Sequence, residues 1–201
     1  MEKGIVCVTG GNGFVASWLI KRLLEDDYYV NTDSKKDVSY LTNLPKATKN
    51  LNFFDADINK PDTFEEAAIR GCIGVFHVAH PTLSNDSVEV LTEKTVNGAL
   101  GILQACVDSN TVKKVVYTSS KSAVMFNGKK HTEVIEFIAW YHISKTMTEK
   151  AILEFGEKEG LDVVTVHPTF VYGPFLGPEC PNSVRNVTMY ATCVSLHIYT
   201  S

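Results

Sequence analysis

The chain has 201 residues, of which 44% are hydrophobic and 21% charged, and its formal net charge is −4. That is ordinary soluble globular usage, which excludes wholesale disorder and fibres. The acidic balance argues against a general nucleic-acid or anionic-membrane binder, and the length suits one domain, or one domain and part of another.

The five cysteines, at 7, 72, 106, 180 and 193, form no C-x-x-C pair. Neither a disulfide framework nor a zinc site is indicated, and a reducing compartment is the natural reading. No charged and apolar leader precedes the first element, and no run approaches the roughly 18 apolar residues of a membrane span. A cytoplasmic protein without a membrane span is expected. Residues 5–8 are a β-branched run that enters a glycine turn at once. Residues 14–24 carry apolar side chains at 15, 18, 19, 20, 23 and 24, which predicts a helix with one wide buried face. Tyr28–Asn31 is a second strand candidate. Residues 33–50 read as a polar connection, and Leu51–Phe54 as a third strand. Pro61 opens a helix reaching about Ile69. Gly74–Ala79 is a buried strand, Val88–Ser109 a long helix, and Val115–Thr118 a strand. A helix follows over Tyr141–Phe155, ended by Gly156 or Gly160, and then a strand over Val163–Val166. Short apolar strands alternating with amphipathic helices predict a doubly wound α/β fold with a parallel sheet and helices on both faces.

Gly10, Gly13 and Ala16 form a G-x-x-G-x-x-A turn between the first strand and the first helix. Gly10 permits a tight turn, Gly13 leaves room for a pyrophosphate at the backbone, and Ala16 lets the helix pack on the sheet. The helix N-terminus then offers free N–H groups and a positive dipole end to phosphates. The alternative is a plain tight turn. Asp33 lies 20 residues after Gly13, where an acidic residue takes the ribose hydroxyls of NAD, but Lys35 and Lys36 follow, where a cation accepts the 2′-phosphate of NADP. The two signals leave the nucleotide open, and a solvated turn also explains the lysines.

Tyr141 and Lys145 form Y-x-x-x-K on a predicted helix, with both side chains on one face. A nearby ammonium favours the phenolate, so the tyrosine can exchange a proton with a substrate oxygen. Thr118, Ser119 and Ser120 close a strand at the carboxyl edge of the sheet, where a hydroxyl can orient a carbonyl. His77 reads as a core residue and His167 as structural. His142 is expected to point away from Tyr141, which leaves His80 as the one histidine near the cleft. No pair has metal-ligand spacing, so no metal is predicted.

The run Val6 to Phe14 resembles the opening of the extended short-chain dehydrogenases/reductases, specifically the plant dihydroflavonol 4-reductase-like group. Residues 53–57, 74–79, 116–120 and 154–157 agree with it, and residues 37–45 with 122–124 and 126–128 are similar to its isoflavonoid-reducing branch. The resemblance covers the chain to about residue 178. It implies a Rossmann-type NAD(P)-binding domain over residues 1–170 and the start of a truncated substrate-binding region over 171–201. It also implies catalysis by Ser120, Tyr141 and Lys145, with Tyr141 as the acid, Lys145 lowering its pKa and holding the nicotinamide ribose, and Ser120 bonding the carbonyl. The implied cofactor-binding set is Gly10, Asn12, Gly13, Phe14 and Val15 of the turn, Asp33 and Lys36, Asp57 and Ile58 beside the adenine, Val78 and Ala79, Tyr141 and Lys145, and Pro168 and Val171 near the nicotinamide. His80 stands where the family has a small hydroxyl residue. The implied activity is reduction of a ketone on a flavonoid- or phenylpropanoid-type substrate, with NADP(H) favoured over NAD(H), by a monomer or weak dimer.

Three features depart from the group. The arginine that grips the 2′-phosphate is absent, the stretch between Ser120 and Tyr141 is shorter, and the chain stops at Ser201 where the relatives continue into a substrate lobe. These motivate the alternative of a truncated cofactor-binding remnant without catalysis. A further alternative is another extended short-chain activity, such as an epimerase, a dehydratase or a cinnamoyl-CoA-type reductase.

Overall fold

A computed structural model describes residues 3–33, 37–58, 60, 62–64, 68–81, 86–125, 136–185 and 188. Six strands, β1 (Ile5–Thr9), β2 (Tyr29–Asp33), β3 (Leu51–Phe54), β4 (Cys72–His77), β5 (Lys114–Thr118) and β6 (Asp162–Val166), form one sheet in the order β3-β2-β1-β4-β5-β6. Every pairing is parallel; Val8, for instance, sits between Thr32 of β2 and Phe76 of β4. The chain winds outward from β1 in one direction and from β4 in the other, so the strand order reverses between them. Ligands of such sheets bind outside the carboxyl ends of the strands at that point.

The helices are α1 (Phe14–Glu25), α2 (Ser39–Thr42), α3 (Ala47–Asn50), α4 (Asp62–Phe64), α5 (Val88–Asp108), α6 (Lys121–Met125) and α7 (Glu136–Glu159). On one face of the sheet Ala16, Ile20, Leu23 and Leu24 of α1 pack with Val6, Val8 and Val30. On the other, Ala99, Ile102, Leu103 and Cys106 of α5 and Ile152 of α7 pack with Cys7, Val75, Val115 and Tyr117. Full burial of each such aliphatic side chain stabilises by about 1.5–3 kcal/mol, which is why β1, covered on both faces, is apolar almost throughout.

The strands lie within two residues of where the sequence places them. The polar connection 33–50 differs, because it contains α2 and α3, and the short α6 follows β5. The fourth strand starts at Cys72 and stops at His77, leaving Val78 and Ala79 just beyond the sheet edge. Helix α7 begins at Glu136, five residues before Tyr141, since nothing between them breaks a helix. It runs through Gly156, where a Cβ would lie 2.6 Å from Val163 Cγ2, and ends at Gly160, whose φ of +69° suits glycine. Of the helix expected from Pro61 to about Ile69, Asp62–Phe64 is helical as α4, while Pro61 and residues 65–67 lie outside the described residues.

Candidate active site

The glycine turn leaves β1 beside the end of β4. Gly10 has φ +73°, and a Cβ there would lie 2.9 Å from Ala79 Cα, so both its backbone and its neighbour require glycine. Its N–H donates to Asp33 Oδ1 at 2.5 Å, which ties the end of β2 to the turn. Gly13 donates to Gly10 O at 2.8 Å and starts α1 with ordinary extended backbone at φ −73°. A Cβ on Gly13 would meet only Gly10 O, at 3.1 Å. No side chain caps α1 and no acidic residue stands in its first turn, so its positive end is left to the cleft. Tyr40 of α2 donates to Asn12 O at 3.0 Å and braces the turn.

Thr9, at the end of β1, accepts from the N–H groups of Val78 and Ala79, each at 3.1 Å, and lies 2.9 Å from His77 Nδ1. With two amides donating to it, the hydroxyl proton goes to Nδ1, which leaves the His77 proton on Nε2. Burial, with Lys145 adding a smaller push, lowers His77 to about 3, so the ring is neutral.

Tyr141 and Lys145 lie one helical turn apart on α7. Lys145 is buried, donates from Nζ to Thr118 O at 2.8 Å, and sits 5.0 Å from the Tyr117 ring centroid and 6.0 Å from that of Tyr141. Burial lowers it to about 8, against an opposing pull from Glu149. The buried Ser120 donates to Ser122 Oγ at 3.1 Å and accepts from Ser122 N–H at 3.2 Å. His80 meets the Tyr141 ring edge-on, with centroids 5.4 Å apart, and packs at 5.4 Å against Trp140. Burial first, then Lys145 and His77, hold His80 well below the usual histidine range.

One cleft of about 1300 Å³ collects these groups. Gly10, Asn12, Gly13, Phe14, Val15 and Asp33 line it from the side of α1 and β2, Asp57 and Ile58 from the loop after β3, Val78 and Ala79 from the end of β4, and Ser120, Tyr141, Lys145, Pro168 and Val171 from the ends of β5 and β6 and from α7. Gly98 lets α5 approach Ile58, since a Cβ there would lie 2.7 Å from Ile58 O. Lys35 and Lys36 lie outside the described residues.

His142 corrects an expectation. It lines the cleft with His80, because the cleft is wide enough to span adjacent residues on α7. His167 is structural, and its partner is Glu149, whose two carboxylate oxygens lie 2.8 and 2.9 Å from His167 Nε2. Sequence reasoning passed over Thr9 and Glu149, and it placed Ser119 among the hydroxyls at the end of β5 without its bond to Glu149; these roles arise from contacts with residues distant in the chain. Among the described residues no group of three or more potential metal ligands gathers, and no helix is long and apolar enough to cross a membrane.

The profile of the NAD-dependent epimerase/dehydratase family matches residues 6–194. Vestitone reductase of Medicago sativa is 50% identical over 206 residues, covering 91% of this chain and 63% of that protein. Its alfalfa crystal structure superposes with a TM-score of 0.79 at 49% identity, over 93% of this chain and 63% of the other. A dihydroflavonol 4-reductase of Arabidopsis thaliana is 40% identical over 206 residues, covering 91% of this chain and 53% of that protein. A yeast methylglyoxal/isovaleraldehyde reductase complexed with NADPH gives a TM-score of 0.72 at 25% identity, over 86% of this chain and 60% of the other. The chain therefore spans a little over half to just under two thirds of the length of these relatives.

Proposed function

We propose, on the premise that the chain belongs to the NAD-dependent epimerase/dehydratase family, that it is the cofactor-binding part of an NADP(H)-dependent oxidoreductase reducing a ketone on a flavonoid- or phenylpropanoid-type phenolic substrate. The observation that carries this is the meeting of Ser120, Tyr141 and the buried Lys145 with the glycine turn in one cleft. The names of the similar proteins, vestitone reductase and dihydroflavonol 4-reductase, support the substrate class.

The residues present fit a dinucleotide. The open end of α1 and the space a Cβ on Gly13 would fill suit a pyrophosphate. Asp57 and Ile58 would flank the adenine, Lys145 would hold the nicotinamide ribose, and Val78, Ala79, Pro168 and Val171 would enclose the nicotinamide end. The bound reduced nicotinamide supplies a hydride. Tyr141 would give its phenolic proton to the substrate oxygen, the Lys145 ammonium would favour the phenolate left behind, and Ser120 would hydrogen-bond the carbonyl. NADP(H) is favoured by the NADPH complex of the yeast relative. Asp33, a carboxylate at the end of β2, favours NAD(H), so the two nucleotides are compared directly. Residues 1–170 as nucleotide-binding domain, 171–201 as the start of a substrate region, a cytoplasmic location and a monomer or weak dimer belong to the same proposal.

A second reading, nucleotide binding without turnover, is favoured by the rim of the cleft. Phe170 lines it and is 79% exposed, so the rim of the cleft on this side is open to water. Titration with NADPH and NADH, followed by nicotinamide fluorescence, tests both readings. Saturable binding that Gly13→Val abolishes and Tyr141→Phe retains, with oxidation of the nucleotide by a dihydroflavonol that Tyr141→Phe eliminates, supports the reductase. Binding without oxidation supports the second reading, and failure to bind either nucleotide overturns both.

A further inference from the structure

Glu149 lies one turn beyond Lys145 on α7, on the same helical face. Its side chain is only 17% exposed. The carboxylate accepts from Ser119 Oγ, lies 3.4 Å from the Thr165 hydroxyl that donates to it, and pairs with His167 Nε2. Each of these contacts ends on a segment that carries a cleft residue. Ser119 stands between Thr118, whose carbonyl receives the Lys145 ammonium, and Ser120. Thr165 belongs to β6, and His167 directly precedes Pro168. The same strand ends are joined by backbone bonds from Ser119 N–H to Val166 O at 2.9 Å and from Lys121 N–H to Pro168 O at 3.0 Å. One carboxylate thus fastens the ends of β5 and β6 to the helix that bears Tyr141 and Lys145.

The same carboxylate acts on Lys145 through its charge. Lys145 faces Tyr117 from β5, Tyr141 from its own helix, and the neutral rings of His77 and His80 from the end of β4. Burial drives the ammonium toward its neutral form, and Glu149 is the group that opposes this. His167 is the titratable group that faces Glu149 from the β6 side.

We propose that Glu149 is a positioning residue, which holds Ser120 and Pro168 in register with α7 and sets a negative charge one helical turn from the buried Lys145 ammonium. The role assigned to Lys145 toward a nucleotide rests on the function proposed above; the coupling between the two side chains does not.

The test is Glu149→Gln, which keeps the shape and removes the charge, in the full chain. The Lys145 side-chain carbon is followed by NMR through a pH titration, and the NADPH dissociation constant is measured across the same range. In the variant, Lys145 is expected to lose its proton near pH ~7 rather than at about 8. NADPH affinity is expected to fall about threefold around pH 8, and the gap is expected to narrow below pH ~6, where both proteins carry the ammonium, and above pH ~9.5, where both carry a neutral lysine. An unmoved lysine titration, or a loss of affinity equal at every pH, overturns the charge role. Ser119→Ala supplies a second variant should Glu149→Gln fail to fold, since it cuts one tie and keeps the charge. It is expected to weaken NADPH binding several-fold with the lysine titration unmoved, and unchanged binding overturns the positioning role. Because the lysine titration needs no nucleotide, a chain that binds none defeats the functional reading while Glu149 is still decided.

Discussion

Thr9 and His77 show how much of the cleft wall hangs on single buried polar atoms. Two amides and one imidazole nitrogen converge on the Thr9 hydroxyl, and burial, with a smaller push from Lys145, holds His77 neutral so that its Nδ1 can accept. The linkage has a definite sign. The folded-state value of His77, about 3, lies below its ordinary value of 6.5, so between those limits the unfolded chain binds more protons. The stability that His77 contributes is fully present above pH 6.5 and is lost as pH falls toward 3. His80, shifted in the same direction, adds to this slope. Urea midpoints measured from pH 7 to pH 4 are therefore expected to fall steeply in the wild type and less steeply in His77→Phe, whatever that variant costs at pH 7. Equal slopes would mean that His77 takes up protons in the folded protein. The core position of His77 was legible from its place in an apolar strand. Thr9 was not, because a threonine at a strand end carries no pattern, and its partners lie 68 to 70 residues away.

The glycine turn separates folding from binding within four residues. Gly10 needs its positive φ and has Ala79 against it, whereas Gly13 has ordinary backbone and a single close neighbour, Gly10 O at 3.1 Å, where a Cβ would stand. Gly10→Ala is expected to destabilise the fold by about 2 kcal/mol or more, from left-handed strain of about 1–2 kcal/mol and the contact with Ala79. Gly13→Ala is expected to cost about 1 kcal/mol or less in urea unfolding, from the poorer N-cap and the 3.1 Å contact with Gly10 O. The same variant is expected to weaken NADPH binding at least ~10-fold, because its methyl fills the pyrophosphate approach. Equal losses of stability in the two variants would remove this distinction. The turn and its flanking strand and helix were legible because the signals are local and contiguous. Helices α2 and α3 were not, since four residues each are too few for an apolar period to register. Yet α2 supplies Tyr40, which braces Asn12 from 28 residues away. The first five residues of α7 are illegible for a related reason: they precede the tyrosine–lysine pair and carry no cap that marks a boundary.

Across the whole molecule, one core joins the first strand to the last helix. Cys7 of β1, Cys72 of β4 and Cys106 of α5 are fully or almost fully buried in one cluster with Phe64, Tyr117 and Ile152, and Val163 of β6 packs against it. All three thiols are free, as is the partly exposed Cys180, while Cys193 lies outside the described residues. Burial pushes Cys72 and Cys106 up to about 12, and Cys7 well above its usual value with Cys72 and Cys106 adding to the shift. At pH 8 a thiol near 12 is ionised in only about one molecule in ten thousand, so reaction requires opening of the core. Since β1, β4, α5 and α7 share that core, such opening is expected to be global, as in a single cooperative unit. An aromatic disulfide reagent applied to the native chain at pH 8 is expected to label Cys180 rapidly. Cys7, Cys72 and Cys106 are expected to react together, at one slow rate that rises with urea in proportion to the global unfolding constant. Peptide mapping by mass spectrometry resolves the sites. If one of the three reacted ahead of the others, the sheet would open in parts. The cleft, which draws residues from the ends of β1, β4, β5 and β6, would then be assembled from segments of unequal stability and not carried on one rigid frame.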